Sequence, residues 1–141
     1  MTAPAELSAP SACRIQVAIT SFGYGHDPAP EADLTIDARR YLRNPHHAPG
    51  MRELTGLQEV VRRHVLATPG ARATIGHAIA FARDVLAEAA GPERMVTIAA
   101  GCVGGRHRSV ALATEIATGL RACGIGVQLT HRDVERPVIQ T

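Results

Sequence analysis

The stretch from Met95 to Ser109 constrains the fold more than any other, because an apolar run, a glycine-rich loop and a helical period follow one another without a break. Met95 to Ala100 is short, apolar and partly β-branched, the pattern of a buried parallel strand. Leu112, Ala113, Ile116, Ala117, Leu120 and Cys123 then recur at helical spacing. Between the two lie Gly101, Gly104 and Gly105, where a missing Cβ permits positive φ and close backbone approach. Ser109 is expected to cap the helix, a contribution of about 1 kcal/mol. The free N–H groups of a helix start carry an effective charge of roughly +0.5, which favours an anion. Arg106, His107 and Arg108 add side-chain donors, and an arginine fork can meet two phosphate oxygens at once. The loop therefore reads as a phosphate pocket, with backbone at Val103, Gly104 and Gly105 and side chains from Arg106 to Ser109. The plainer alternative is a glycine turn carrying solvated arginines. Gly-x-x-x-x-Gly-Lys-Ser/Thr cannot be laid over these residues, which excludes a Walker loop.

The rest of the chain supplies a small α/β order. Arg14 to Thr20 alternates around Ile15, Val17 and Ile19 and predicts a first strand, ending in a loop from Ser21 to Pro28. Ala32 to Asp37 predicts a second strand, followed by an arginine-rich connection and a long loop to about Thr55. Leu57, Val60, Val61, His64 and Val65 share one face of a helix over 56–67, stopped by Pro69-Gly70. Ile75, Ala78, Ile79, Ala82, Val85 and Leu86 form a second stripe, ended by Gly91-Pro92, and Val127 to His131 is the last strand. The order β-β-α-α-β-α-β predicts a layered α/β sheet. In such sheets ligands bind beyond the carboxyl ends of the strands. If the first and third strands are parallel, Ser21 to Asp27 and Gly101 to Ser109 face one crevice, and His26 reaches a ligand held on the glycine loop. Ser21, Tyr24, Asp37 and Arg39 are secondary candidates at the same edge.

At 141 residues the chain fits one domain. We expect a disordered Ala/Pro/Ser-rich leader over 1–12, a domain over 13–134 and a tail over 135–141. The leader lacks the basic start and apolar core of a signal peptide, and no apolar run is long enough to cross a bilayer, so a cytoplasmic setting without a membrane partner is expected. The net charge of +2 is too small to demand a polyanion, although arginines gather near 39–43, 62–63 and 106–108. Aromatic content of 3% argues against a base-stacking platform. Cys13, Cys102 and Cys123 show no Cys-x-x-Cys spacing, and the seven histidines have no metal-ligand pattern, so neither disulfide nor metal site is expected. His64 and His77 read as packing or solvated residues, and Cys123, on the helical stripe, as a buried core thiol. Cys102 followed by five residues and Arg108-Ser109 matches the Cys-x5-Arg-Ser/Thr loop of tyrosine-phosphatase-type enzymes, with Cys102 as nucleophile and Arg108 as clamp. That chemistry also needs a general acid, for which Asp27 is the nominee. Gly101 stands where those enzymes usually carry His.

Taken together, Ser21-Phe-Gly-Tyr-Gly-His26, Ala32-Asp-Leu-Thr-Ile-Asp-Ala-Arg39, Asn44-Pro45-His46, Thr55-Gly56-Leu57 and Gly101-Cys-Val-Gly-Gly-Arg-His-Arg-Ser-Val110 resemble the C-terminal domain of the RapZ family in order and spacing, and His131-Arg132 fits its final basic strand. The resemblance implies a fold similar to a phosphofructokinase subdomain and a regulatory domain that binds a phosphorylated sugar, glucosamine-6-phosphate, and small RNA. By motif, the sugar-phosphate contacts fall on His26, Val103, Gly104 and Arg108. The family's P-loop nucleotide-binding domain has no counterpart in this sequence. Val103 stands where the family usually has Thr, Gly25 where Lys is frequent, and the tail lacks the dense basic ending linked to RNA. The expectation is a non-catalytic, cofactor-free homo-oligomer that binds an amino-sugar-phosphate-like molecule and acts on an RNA or on a separate nucleotide-binding protein. An RNA adaptor and a Cys102 phosphatase are the alternatives.

Overall fold

The structure, a computed structural model, describes residues 14–40, 42, 50–88 and 95–139. The expected leader, Cys13, the connection through Asn44-Pro45-His46 and the Gly91-Pro92 stop lie outside them. The described elements are β1 (Val17–Gly23), β2 (Leu34–Asp37), α1 (Glu59–Leu66), α2 (Ala71–Glu88), β3 (Val96–Cys102), α3 (Arg108–Ala122) and β4 (Val127–His131), in the α/β order that the sequence predicts. They build a four-stranded sheet of order β2-β3-β1-β4 in which every pairing is parallel.

One set of alternate residues from each strand faces the helices: Val17 and Ile19, Val96, Ile98 and Ala100, and Val127 lie in the buried cluster, with Leu34, Ile36 and Leu129 packed against it. The two helical crossovers, β2 to β3 through α1 and α2 and β3 to β4 through α3, step across the sheet in the same direction. With right-handed connections they place their helices on the same face. α3 supplies Leu112, Ala113, Ile116, Ala117 and Leu120 to the core, and α2 supplies Ala71, Ile75, Ala78 and Ala82. Small residues on α2 and α3 let the two helices approach closely. A Cβ on Gly119, for instance, would collide with the side chain of Ile79.

Several boundaries differ from the sequence expectation. β1 runs on through Ser21, Phe22 and Gly23, which pair with Ala100, Gly101 and Cys102, so this part of the expected loop is strand. Phe22 is fully buried, and Gly23 sits inside the strand because a Cβ there would come within 2.5 Å of the Gly104 carbonyl carbon. β3 likewise extends to Cys102. α1 starts at Glu59 after Gln58, and only Val61 and Val65 of its expected stripe are buried; Leu57 and Val60 are exposed. The i, i+4 pair meets the core, and Val60 is turned about 100° away from Val61. Cys123 is exposed rather than buried, because α3 ends at Ala122 and the buried stripe stops at Leu120.

Candidate functional site

A fully parallel sheet puts all four strand carboxyl ends, Gly23, Asp37, Cys102 and His131, along one edge. The strand ends, the loops that leave this edge and the first turn of α3 carry the sequence-nominated site residues. Tyr24 N–H donates to the Cys102 carbonyl (2.8 Å) and Gly25 N–H to the Val103 carbonyl (2.9 Å), so the His26 loop is held beside the glycine loop. Gly105 adopts φ +73°, and a Cβ there would press on the Gly23 nitrogen and on Asp133. The glycine loop thus lies directly on β1, backbone against backbone. Nothing stands within 4 Å of where a Gly104 Cβ would be, so the loop is open on that side.

Helix α3 begins at Arg108 with His107 as its N-cap, and no side chain caps it. Ser109 is therefore not the cap: it is already inside the first turn, fully buried, and its Oγ shares a 3.2 Å hydrogen bond with Cys102 Sγ. Cys102 is 3% exposed and belongs to the hydrophobic cluster beneath the loop. Arg108 is 4% exposed, and its Nη1 donates to the Arg39 carbonyl at 2.8 Å while its Nε is buried with no protein partner. Burial pulls the Arg108 guanidinium below its usual value, against the pull of Cys102 and Asp37. His26 Nε2 and Arg106 Nε are likewise buried at this edge without a hydrogen-bond partner.

Arg106 and His107 turn elsewhere. Arg106 Nη1 donates to the Val134 and Arg136 carbonyls (3.3 and 3.0 Å) and its Nη2 to the Glu53 carbonyl (2.8 Å), while His107 Nε2 is 3.2 Å from the Arg52 carbonyl oxygen. Ser21 lies under the edge and shares a 2.7 Å hydrogen bond with His131 Nδ1. Asp37, Arg39 and Tyr24 form a separate stack at the β2 side. Arg39 grips both Asp37 oxygens at 2.9 and 2.6 Å and lies 3.7 Å above the Tyr24 ring. The hydrogen bond from Arg39 holds the Asp37 carboxyl below its ordinary range, although burial opposes it. Burial, helped by Asp37, pushes the Tyr24 hydroxyl up.

Sequence reasoning missed Asp133. Its fully buried carboxylate accepts from the Gly23 amide at 2.7 Å and from Arg132 Nε at 3.0 Å, with Arg136 Nε 3.3 Å from its other oxygen. Burial pushes this carboxyl up, but the Arg132 hydrogen bond, the Gly23 amide and the two guanidinium charges outweigh it and hold it low. Arg132 also donates to the carbonyls of Pro28, Asp27 and Gly23. The available signal was position: Arg132-Asp133 directly follows the carboxyl end of a strand. Away from this edge, a groove of about 380 Å³ opens where α1, α2 and α3 meet, lined by Glu59, Arg62, Arg63, Leu66, Arg72 and Glu115 among others. Among the described residues no group of three His, Cys, Asp or Glu could hold a metal ion, and no helix is long and apolar enough to cross a membrane.

Comparison with known proteins adds a lineage to this geometry. Residues 15–135 match the model of the RapZ C-terminal domain. A nucleotide-binding protein of Frankia alni is 41% identical over 128 residues, covering 90% of this chain and 44% of its own. One from Leifsonia xyli subsp. xyli is 44% identical over 124 residues, covering 86% of this chain and 42% of its own. The chain therefore spans less than half the length of the curated relatives it matches.

Proposed function

This chain belongs to the RapZ C-terminal domain family, and on that premise we propose that its strand-end edge binds a phosphorylated small molecule of amino-sugar-phosphate type as a regulatory, non-catalytic act. The observation that carries this reading is that Arg108 Nε, at the start of α3, and His26 Nε2, on the loop after β1, are buried without protein partners on either side of the glycine loop, whose Gly104 flank is open. Arg106 Nε, also unpartnered, belongs instead to a guanidinium already held by three carbonyls. Buried polar groups are nearly always satisfied, and one left over is a donor or acceptor in wait of a partner. The first turn of α3 adds N–H groups and a positive dipole end, with no side chain capping them. Phosphate oxygens supply the acceptors that these groups need; a neutral sugar supplies them without the charge. The Gly104 and Val103 backbone, Arg108 and His26 are the contacts, and Ser109 contributes its backbone.

Phosphoryl transfer on Cys102 would need the sulfur at the anion. Its sulfur instead lies in the core against Ser109, which favours binding over chemistry. RNA binding would draw on Arg39, Arg106 and Arg132, whose guanidinium groups are already engaged with Asp37 or with carbonyls of this chain. The relatives are called nucleotide-binding proteins, which makes a nucleotide the second phosphate carrier to test, with the difference that those chains are more than twice as long.

Thermal shift with glucosamine-6-phosphate, glucosamine, a nucleoside monophosphate and inorganic phosphate decides the matter, since a ligand specific to the native state raises its apparent stability. The phosphorylated sugar is expected to stabilise and the free sugar not. In Arg108→Ala the affinity is expected to fall more than about tenfold, as charge-assisted hydrogen bonds contribute about 1.5–3 kcal/mol. Equal shifts from glucosamine and its phosphate would rule the reading out.

A further inference from the structure

The groups that Arg106 touches point to a role other than anion contact. Its guanidinium spans three separate stretches of chain: it sits in the glycine loop, donates to the Glu53 carbonyl, and donates to the Val134 and Arg136 carbonyls of the carboxy-terminal segment. That same segment also holds the other loop of the site. Arg132 donates to the carbonyls of Gly23, Asp27 and Pro28, Arg136 Nη2 donates to Asp27 Oδ2 at 2.8 Å, and the Ile139 side chain fills the space over Gly25 that any Cβ there would need. The Gly25 amide in turn donates to the Val103 carbonyl. The contacts close a ring from glycine loop to carboxy-terminal segment to His26 loop and back to the glycine loop. None of them reaches the open flank of Gly104.

We propose that Arg106 is a positioning residue which, with Arg132 and Arg136, straps segment 132–139 across both loops of the site, so that docking of this segment and anion binding reinforce each other. The inference rests on the phosphate-binding reading above and adds a regulatory handle to it: whatever captures or displaces the carboxy-terminal segment changes ligand affinity without touching the ligand. Coupling between sites is reciprocal, so a ligand that binds more tightly when the strap is docked must hold the strap down by the same factor.

Hydrogen exchange of the full chain, with and without glucosamine-6-phosphate, tests this alongside direct affinity measurement. Ligand is expected to slow exchange over 134–139 in the wild type. Arg106→Lys keeps the charge but replaces the planar fork with one ammonium, which cannot span three carbonyls. It is expected to speed exchange over both 134–139 and 23–28 and to weaken ligand at least about fivefold, the low end of measured couplings. Arg136→Ala, at a half-exposed position, is expected to do the same to a smaller degree and covers the case in which Arg106→Lys does not fold. Faster exchange with unchanged affinity in both variants would overturn the coupling. Unchanged exchange in both would overturn the strap itself. A wild type that binds no phosphate compound at all overturns the proposed function and the coupling with it, and is told apart from the other failures by the wild-type affinity alone.

Discussion

The helix-covered face of the sheet and its carboxyl edge are built on opposite rules. On the face, one set of alternate residues from every strand meets the helices through small and branched apolar side chains. At the edge stand Ser21, His107, Arg108, Ser109 and Asp133, so that among the buried polar residues described only Thr68 lies elsewhere. Burying charge and hydroxyls costs stability unless each finds a partner. Where a fold gathers such groups at the ends of its strands, the gathering marks function more reliably than any one of the residues does.

The sharpest separation of the two regions is a pair of substitutions. Ile116→Ala, in the middle of the apolar face, is expected to lower stability by about 2–5 kcal/mol while leaving phosphate affinity of the folded protein unchanged. Denaturant melts and calorimetric titration measure the two quantities, and a large affinity loss would erase the distinction. Asp133→Ala attacks the edge instead. It strands the Gly23 amide and takes the carboxylate partner from Arg132, leaving that guanidinium only its carbonyl contacts, and is expected to cost about 3 kcal/mol together with affinity. Gly23→Ala follows with about 1–3 kcal/mol, because the new methyl must push the glycine loop off β1; a neutral result would mean that the loop has room to move.

Acidity offers a smaller probe of the edge. Burial holds the His131 imidazole below its ordinary 6.5, so the unfolded chain takes up a proton first as the pH falls, and stability declines from about pH 6.5 downward by less than about 1.4 kcal/mol per pH unit. Urea melts between pH 5 and 8 of the wild type and of His131→Gln should diverge over that window. Parallel curves would show that this histidine contributes nothing. The smallest effect is expected on the outer face of α1, where Arg63→Ala breaks the exposed i, i+4 pair with Glu59 and should change stability by no more than about 0.5 kcal/mol.

Periodicity made the apolar face legible in the sequence. The stripes of α2 and α3 and the strand before the glycine loop need only local spacing, and so they could be read without knowing what they pack against. Contacts that join distant stretches left no such trace. Gly23 looked like a turn signal because its partner surface, Gly104 and Gly105, lies far along the chain. Asp133 drew no reading of its own, because the amide it pairs with is at Gly23, far back along the chain. Arg106 looked like an anion ligand beside Arg108, and only the return of the chain at Val134 and Arg136, with Glu53, shows where its two terminal nitrogens donate. Leu57 and Val60 were misplaced for a simpler reason: in a helix of two turns a shift of one residue rotates the whole apolar assignment.

The meeting of Gly23 with Gly104 and Gly105 is a contact made by main chain alone. Main chain has the same composition in every protein, so this seat offers nothing for substitution to tune; it either accepts the loop or rejects it. What can be rewritten lies around it, at the side chains of Val103, His26 and the Tyr24–Arg39 stack. Under the proposed function, a fixed seat with a replaceable collar would let a lineage change its ligand while the place of binding stays put.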